Sequence, residues 1–170
     1  MLLFLDTEFT DFIDIDLISI GIASEDGRHT FYAERNDYRR ASISDFVREA
    51  VLPHLGQQPE AICSREELAR RLREWLDTLP GPLQIACDSA HDRDLLWDAL
   101  EDDLPSHLEP AVLQLAWQSE EKAFNEGVCQ YHAQAGRPRH HALHDAQAML
   151  QGWTALNNIA RQTMRSTQSD

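Results

Sequence analysis

The chain opens on a strand with an unusual end. Met1-Leu2-Leu3-Phe4-Leu5 is continuously apolar, as a strand covered on both faces is, and it runs directly into Asp6-Thr7-Glu8 before Phe9. Side chains alternate along a strand, so Asp6 and Glu8, two residues apart, project from the same face of the sheet. Two like charges side by side must be solvated, protonated or bound to a cation. Taken alone, the spacing is also that of an exposed strand end. The apolar stretch lacks a basic leader and a small-residue cleavage site, so it reads as a buried strand and not as a signal peptide.

Downstream, Leu17 to Ala23 and His29 to Ala33 follow as further strands, separated by a turn at Glu25-Asp26-Gly27, which predicts an antiparallel meander. A short helix is expected from Ile43 to Ala50, stopped near Pro53. Ser64 with Glu67 makes a capping-box pattern, and Leu68, Leu72, Trp75, Leu76 and Leu79 form one helical stripe that ends before Pro80-Gly81-Pro82. Leu83 to Cys87 reads as a strand, followed by a helix to about Leu100, another strand within Ala111 to Trp117, and a helix from Glu120 to Ala135. The last helix, His141 to about Arg161, carries Ala142, Ala146, Met149, Trp153, Leu156 and Ala160 on one face. Strands first, then alternating helices and strands, predict an α/β or α+β three-layer domain compatible with a mixed sheet, taken here as α/β with an antiparallel start followed by parallel strands. The 170 residues suit a single domain, taken as residues 1–163 with a polar tail at 164–170.

Helical bookkeeping at about 100° per residue locates further acids. With Leu95 at zero, Asp92 lies near 60°, inside the arc of Leu96 and Ala99, whereas Asp94 and Asp98 lie near 260° and 300°. A carboxylate aimed at the core needs a strong partner, although Asp92 could also be an N-cap, and Asp88 is a weaker candidate for the same site. On the last helix Asp145 borders the buried stripe, His144 points to solvent, and His140 approaches Asp145 from the preceding loop. Four carboxylates, Asp6, Glu8, Asp92 and Asp145, with no close Cys/His set, suit Mg²⁺ or Mn²⁺ and disfavour zinc.

The balance of 15 basic against 29 acidic residues, a net charge of -14, excludes a protein that grips nucleic acid through a global basic field, so any phosphate contact is local. Arg137 and Arg139 are the candidates for it, with Arg35, Arg39 and Arg40 behind them. Phe9 could stack on a base or pack in the core. Cys63, Cys87 and Cys129 have no metal or disulfide spacing, which fits a reducing cytoplasm, and no apolar run is long enough to span a membrane. Trp75, Trp97, Trp117 and Trp153 leave room for a homodimer interface.

The ordered set Asp6-Thr7-Glu8, Asp92 and His140-x4-Asp145 resembles the motifs of the DEDD exonucleases with a histidine base, within the DnaQ-like 3′→5′ exonuclease superfamily. His140-His141-Ala142-Leu143-His144-Asp145-Ala146 resembles the pattern H-x-A-L-x-D-A. Asp88-Ser89-Ala90-His91-Asp92 is similar to N-x-x-F-D, with Asp88 at the Asn position and His91 at the Phe position. Leu17 to Ala33 and Val51-Leu52-Pro53-His54-Leu55 are similar to the small bacterial 3′→5′ exoribonucleases of that superfamily. The resemblance implies a ribonuclease-H-like fold and two Mg²⁺ or Mn²⁺ ions held by Asp6, Glu8, Asp92 and Asp145. It implies His140 as general base, with His141 the alternative at the spacing of the tyrosine base of the sister subclass. The implied reaction releases nucleoside 5′-monophosphates from the 3′ end of single-stranded or overhanging nucleic acid, RNA by preference, with Thr7, Phe9 and Arg139 near the substrate. The competing expectation is a catalytically silent exonuclease-fold module that binds an RNA end or a protein partner.

Overall fold

The structure, a computed structural model, describes residues 1–101, 104–115, 118 and 121–167, with side chains through Gln162. Six strands form one mixed sheet: β1 (Leu2–Phe9), β2 (Leu17–Ser24), β3 (Thr30–Arg35), β4 (Ile62–Cys63), β5 (Gln84–Cys87) and β6 (Leu113–Gln114), in the order β4-β3-β2-β1-β5-β6. The first three are antiparallel neighbours, as the short connections require, and β4, β5 and β6 pair parallel to β3, β1 and β5. The expected α/β architecture with a mixed sheet is therefore present. Of the segment expected as a strand up to Trp117, only Leu113–Gln114 pairs, and Trp117 lies outside the described residues.

Among the described residues four α-helices cover the two faces: α1 (Arg65–Asp77), α2 (Ala90–Ala99), α3 (Lys122–His132) and α4 (Ala142–Thr167). The parity of β1 shows how the layers are divided. Leu3 and Leu5 join Leu68, Leu72 and Leu76 of α1 and Leu95, Leu96 and Ala99 of α2, while Phe4 joins Phe124 of α3 and Met149 of α4. Asp6 and Glu8 share the parity of Phe4 and so face the α3/α4 layer. Trp75 packs on Phe31 with ring centroids 5.5 Å apart, Trp153 on Phe4 at 6.2 Å, and Trp97 against the α1/α2 core, each of them partly buried.

Three helix expectations change. The segment placed at Ile43 to Ala50 forms a wide π turn, Val47–Val51, closed by the Leu52 N–H to Val47 O and followed by Pro53, which has no N–H to continue a regular helix. It still buries Val47 and Val51 against Ile18. The Ser64 hydroxyl caps α1 by accepting from the Glu67 N–H at 3.3 Å, but the Glu67 carboxylate turns to Arg70 and Arg71 instead of closing the box. α4 continues to Thr167, six residues past the end that its periodicity suggests. Glu120, expected to start α3, lies outside the described residues.

Candidate functional site

The parallel strands β1 and β5 end side by side, which is where open α/β sheets place their ligand sites. Asp6 and Glu8 stand at the end of β1, Asp88 directly follows β5, and Asp92 is on the first turn of α2. The β1–β2 register skips Ile18 between the pairs Glu8↔Ser19 and Phe9↔Leu17, a bulge that bends the ladder beside Glu8.

Asp145 is delivered by a close backbone approach. Gly21 pairs with Asp6 across the ladder, and a Cβ at Gly21 would lie 2.2 Å from the carbonyl carbon of Ala142. Only glycine lets the first turn of α4 sit on β2 there, directly above the partner of Asp6. A glycine inside an otherwise apolar strand was the sequence signal for this approach.

These elements bring together two sets of three carboxylates. Oxygens of Asp6, Glu8 and Asp145 all lie within 4.8 Å of one another, and so do oxygens of Asp6, Asp88 and Asp92. Asp6 belongs to both. Asp88, ranked low from sequence, is thus a full member of the cluster, whereas Asp92 is partly committed: one oxygen accepts from the Thr7 N–H at 3.1 Å and the Thr7 hydroxyl at 2.6 Å. The N-cap of α2 is Ser89, accepting from the His91 N–H at 3.1 Å, so Asp92 is not held there as a cap. Thr7 supports a carboxylate from below the sheet.

Among the described residues no lysine or arginine forms an ion pair with any of the five carboxylates; the nearest counter-charge is His132, whose Nε2 is 3.1 Å from Asp145 Oδ1 at ion-pair distance without the alignment of a good hydrogen bond. Burial, followed by the charges of Asp92, Asp145 and Glu8, raises the Asp6 carboxyl well above the ordinary carboxylate range. Burial and then Asp145 and Asp92 lift Glu8 to about 8, and burial lifts Asp92 to about 7 against the opposing Thr7 hydrogen bond. Asp145 and Asp88 are raised chiefly by burial as well. The cluster therefore holds protons unless a cation replaces them. Its donors are all oxygen, the chemistry of Mg²⁺, Mn²⁺ or Ca²⁺ ligation. These acidic groups could hold a metal ion.

A cleft of about 400 Å³ opens over the cluster, lined by Asp6, Thr7, Glu8, Phe9, Asp88, Asp92, Arg139, His140 and Asp145, with Phe12, Phe46, Phe124, Asn125 and Met149 around them. His140 sits in the left-handed region at φ 60, where histidine is among the better-tolerated side chains, and its ring meets Phe46 edge-to-face at 5.0 Å. His141 does not line the cleft. It is buried, stacked on Tyr32 at 4.5 Å, and burial followed by the neighbouring His144 lowers it to about 4, while its backbone N–H donates to Asp145 at 2.9 Å. His144 does not face solvent as expected but bonds the Tyr131 hydroxyl at 2.9 Å, because α3 covers that side of α4. Arg139 is the arginine that lines the cleft among the described residues. Arg137 lies over the Tyr131 ring at 4.4 Å and Arg40 over Tyr38 at 5.7 Å. Arg35 and Arg39 are elsewhere, paired with Asp16, Asp37 and Asp14, and do not line this cleft.

No protein-family model matches the chain, and a search of curated proteins finds no match to it.

Proposed function

We propose that the protein is a metal-dependent 3′→5′ exonuclease of ribonuclease-H-like fold, akin to the DnaQ-like DEDD enzymes with a histidine base, and that its substrate is a single-stranded or overhanging 3′ end, RNA by preference. The observation that carries this reading is the pair of three-carboxylate groups sharing Asp6, roofed by a cleft that also contains His140. Glu8 and Asp145 complete one cation position with Asp6, and Asp88 and Asp92 complete the other. When bound there, Mg²⁺ or Mn²⁺ supplies charge neutralisation at a phosphodiester and makes a coordinated water acidic enough to attack at neutral pH.

The protein's own groups supply the rest. His140, on the rim beside Asp145, accepts the proton of the attacking water through a ring nitrogen. Arg139 offers a guanidinium to a phosphate oxygen. Phe9, Phe12 and Phe46 line the same cleft and give a terminal base an apolar surface to stack on. With one arginine in the cleft and a net charge of -14, grip on the strand depends on these local contacts and on bound cations.

The test is hydrolysis of matched 3′-labelled RNA and DNA oligomers with Mn²⁺, products sized over time. Stepwise shortening abolished by EDTA, with a loss of about 10²-fold or more in His140→Ala, is expected. Full-length substrate after prolonged incubation with Mg²⁺ and with Mn²⁺ would sink the reading.

A further inference from the structure

We propose that His132, the last residue of α3, is a positioning residue that orients the Asp145 carboxylate for cation binding; this rests on the reading of the cleft given above. Its side chain is 6% exposed and lies between two fixed oxygens: Nδ1 is 3.1 Å from the Arg137 carbonyl and Nε2 is 3.1 Å from Asp145 Oδ1. A carbonyl oxygen only accepts, so Nδ1 is the nitrogen that carries the proton toward it. An ionised carboxylate oxygen also only accepts, so Nε2 meets Asp145 as a second donor, with the ring an imidazolium. Among the described residues it has no other partner, and a buried ring nitrogen without one is costly.

The opposite oxygen, Asp145 Oδ2, accepts from the His141 N–H at 2.9 Å. Asp145 is thus approached through both oxygens, one from the end of α3 and one from the start of α4, which restricts rotation of the carboxyl plane. Each oxygen keeps a lone pair, and one of them is within 4.8 Å of Asp6 and Glu8. The placement of His132 follows from the packing of the two helices: a Cβ on Gly127 would lie 2.8 Å from the Cα of Gly152, so α3 and α4 meet backbone to backbone, and the residue five positions after Gly127 arrives beside the residue seven positions before Gly152. Outer partners of this kind fix the geometry of a ligand without touching the ion, and their loss typically weakens metal affinity about 10- to 100-fold.

The experiment is calorimetric titration of Mn²⁺ into wild-type protein, His132→Phe and His132→Gln, well below their melting temperatures and with folding checked by circular dichroism. His132→Phe is expected to bind Mn²⁺ about 10- to 100-fold more weakly, and His132→Gln, whose amide donates to a carboxylate, to recover most of that loss. A purely structural histidine lowers the melting temperature and leaves the affinity of the folded protein unchanged in both variants; that result overturns the proposal. If His132→Phe does not fold, ¹⁵N resonances of the wild-type ring serve instead: protons on both ring nitrogens with an Nε2 signal that moves on Mg²⁺ addition support the role, and an Nε2 that carries no proton or is indifferent to saturating Mg²⁺ overturns it. Wild-type protein that binds neither ion fails at the earlier step, because it removes the metal site itself.

Discussion

Two clefts of this molecule are built from acidic residues, and they treat their carboxylates in opposite ways. The larger, about 520 Å³, is lined by Asp16, Arg35, Asp37, Arg39, Arg65 and Asp98, among others. There Arg35 pairs with Asp16 at 2.6 Å and Asp37 at 2.9 Å, and Arg65 with Asp98 at 2.9 Å. Burial pushes Asp37 up, but the Arg65 N–H and the Arg35 guanidinium outweigh it and hold the carboxyl below its ordinary range. The smaller cleft gathers Asp6, Glu8, Asp88, Asp92 and Asp145 without an arginine partner among the described residues, and all five carboxyls are raised. Burial separates the two in part, since Asp37 and Asp98 are 38% and 56% exposed against 2% for Asp92. The counter-charge separates them further, because Asp16 is 12% exposed and still paired, whereas Asp145 at 22% has no arginine among the described residues. A cleft whose acids are paired with the chain's own arginines serves the fold, whereas one whose acids are unmatched could hold a cation, and its smaller volume is irrelevant to that.

The contrast can be broken at several points. Asp6→Asn removes the carboxylate common to both cation positions, so nuclease turnover is expected to fall by at least about 10³-fold while the melting temperature holds or rises, because a repelled buried charge is gone. A variant that retains turnover would erase the distinction between the clefts. Asp16→Ala should do the reverse: it removes the shorter of the two ion pairs of the buried Arg35 and leaves Asp37, which costs about 1–3 kcal/mol on denaturant titration, and it spares the chemistry of whatever protein remains folded.

Stability against pH sharpens the same difference. Glu8 and Asp92, raised to about 8 and about 7, bind more protons folded than unfolded. Their contribution is fully present below the ordinary carboxylate range near pH 4 and is lost as pH climbs through 7 and 8. Metal-free protein should therefore melt lower at pH 8.5 than at pH 5, and Mn²⁺ at about 100 times its Kd should restore about 2.7 kcal/mol at the higher pH. A metal-free melting temperature that does not change between those pH values would count against the unmatched cluster. The smallest effect belongs to Arg39→Ala, whose exposed pair with Asp14 is worth at most about 0.5 kcal/mol and whose loss leaves the cleft around Asp6 untouched.

Much of the layout was legible without coordinates, because period and polarity are local properties. The alternation of β1 put Asp6 and Glu8 on one face, and the 100° bookkeeping put Asp92 inside an apolar arc, where it is 2% exposed. Asp145 on the border of its stripe and His140 in the loop before it are read from the same rules. What misled them was company: His144 looked solvent-facing because nothing in α4 reveals that α3 covers it, and Arg35 and Arg39 looked free because their aspartate partners are brought to them by the fold.

The amino-acid order by itself determined that a strand would end in two carboxylates on one face and that two helices would each carry one more toward their buried sides. Only the tertiary structure decided that these ends meet. The register of Asp6 against Gly21, the absent Cβ that lets α4 descend onto it, and the glycine crossing that brings His132 to Asp145 are relations between residues distant in sequence. Asp88 shows the limit most plainly, since a carboxylate after a short strand is unremarkable until the parallel pairing of β5 with β1 sets it beside Asp6. Local pattern fixes which way a side chain points, and long-range packing fixes what it points at.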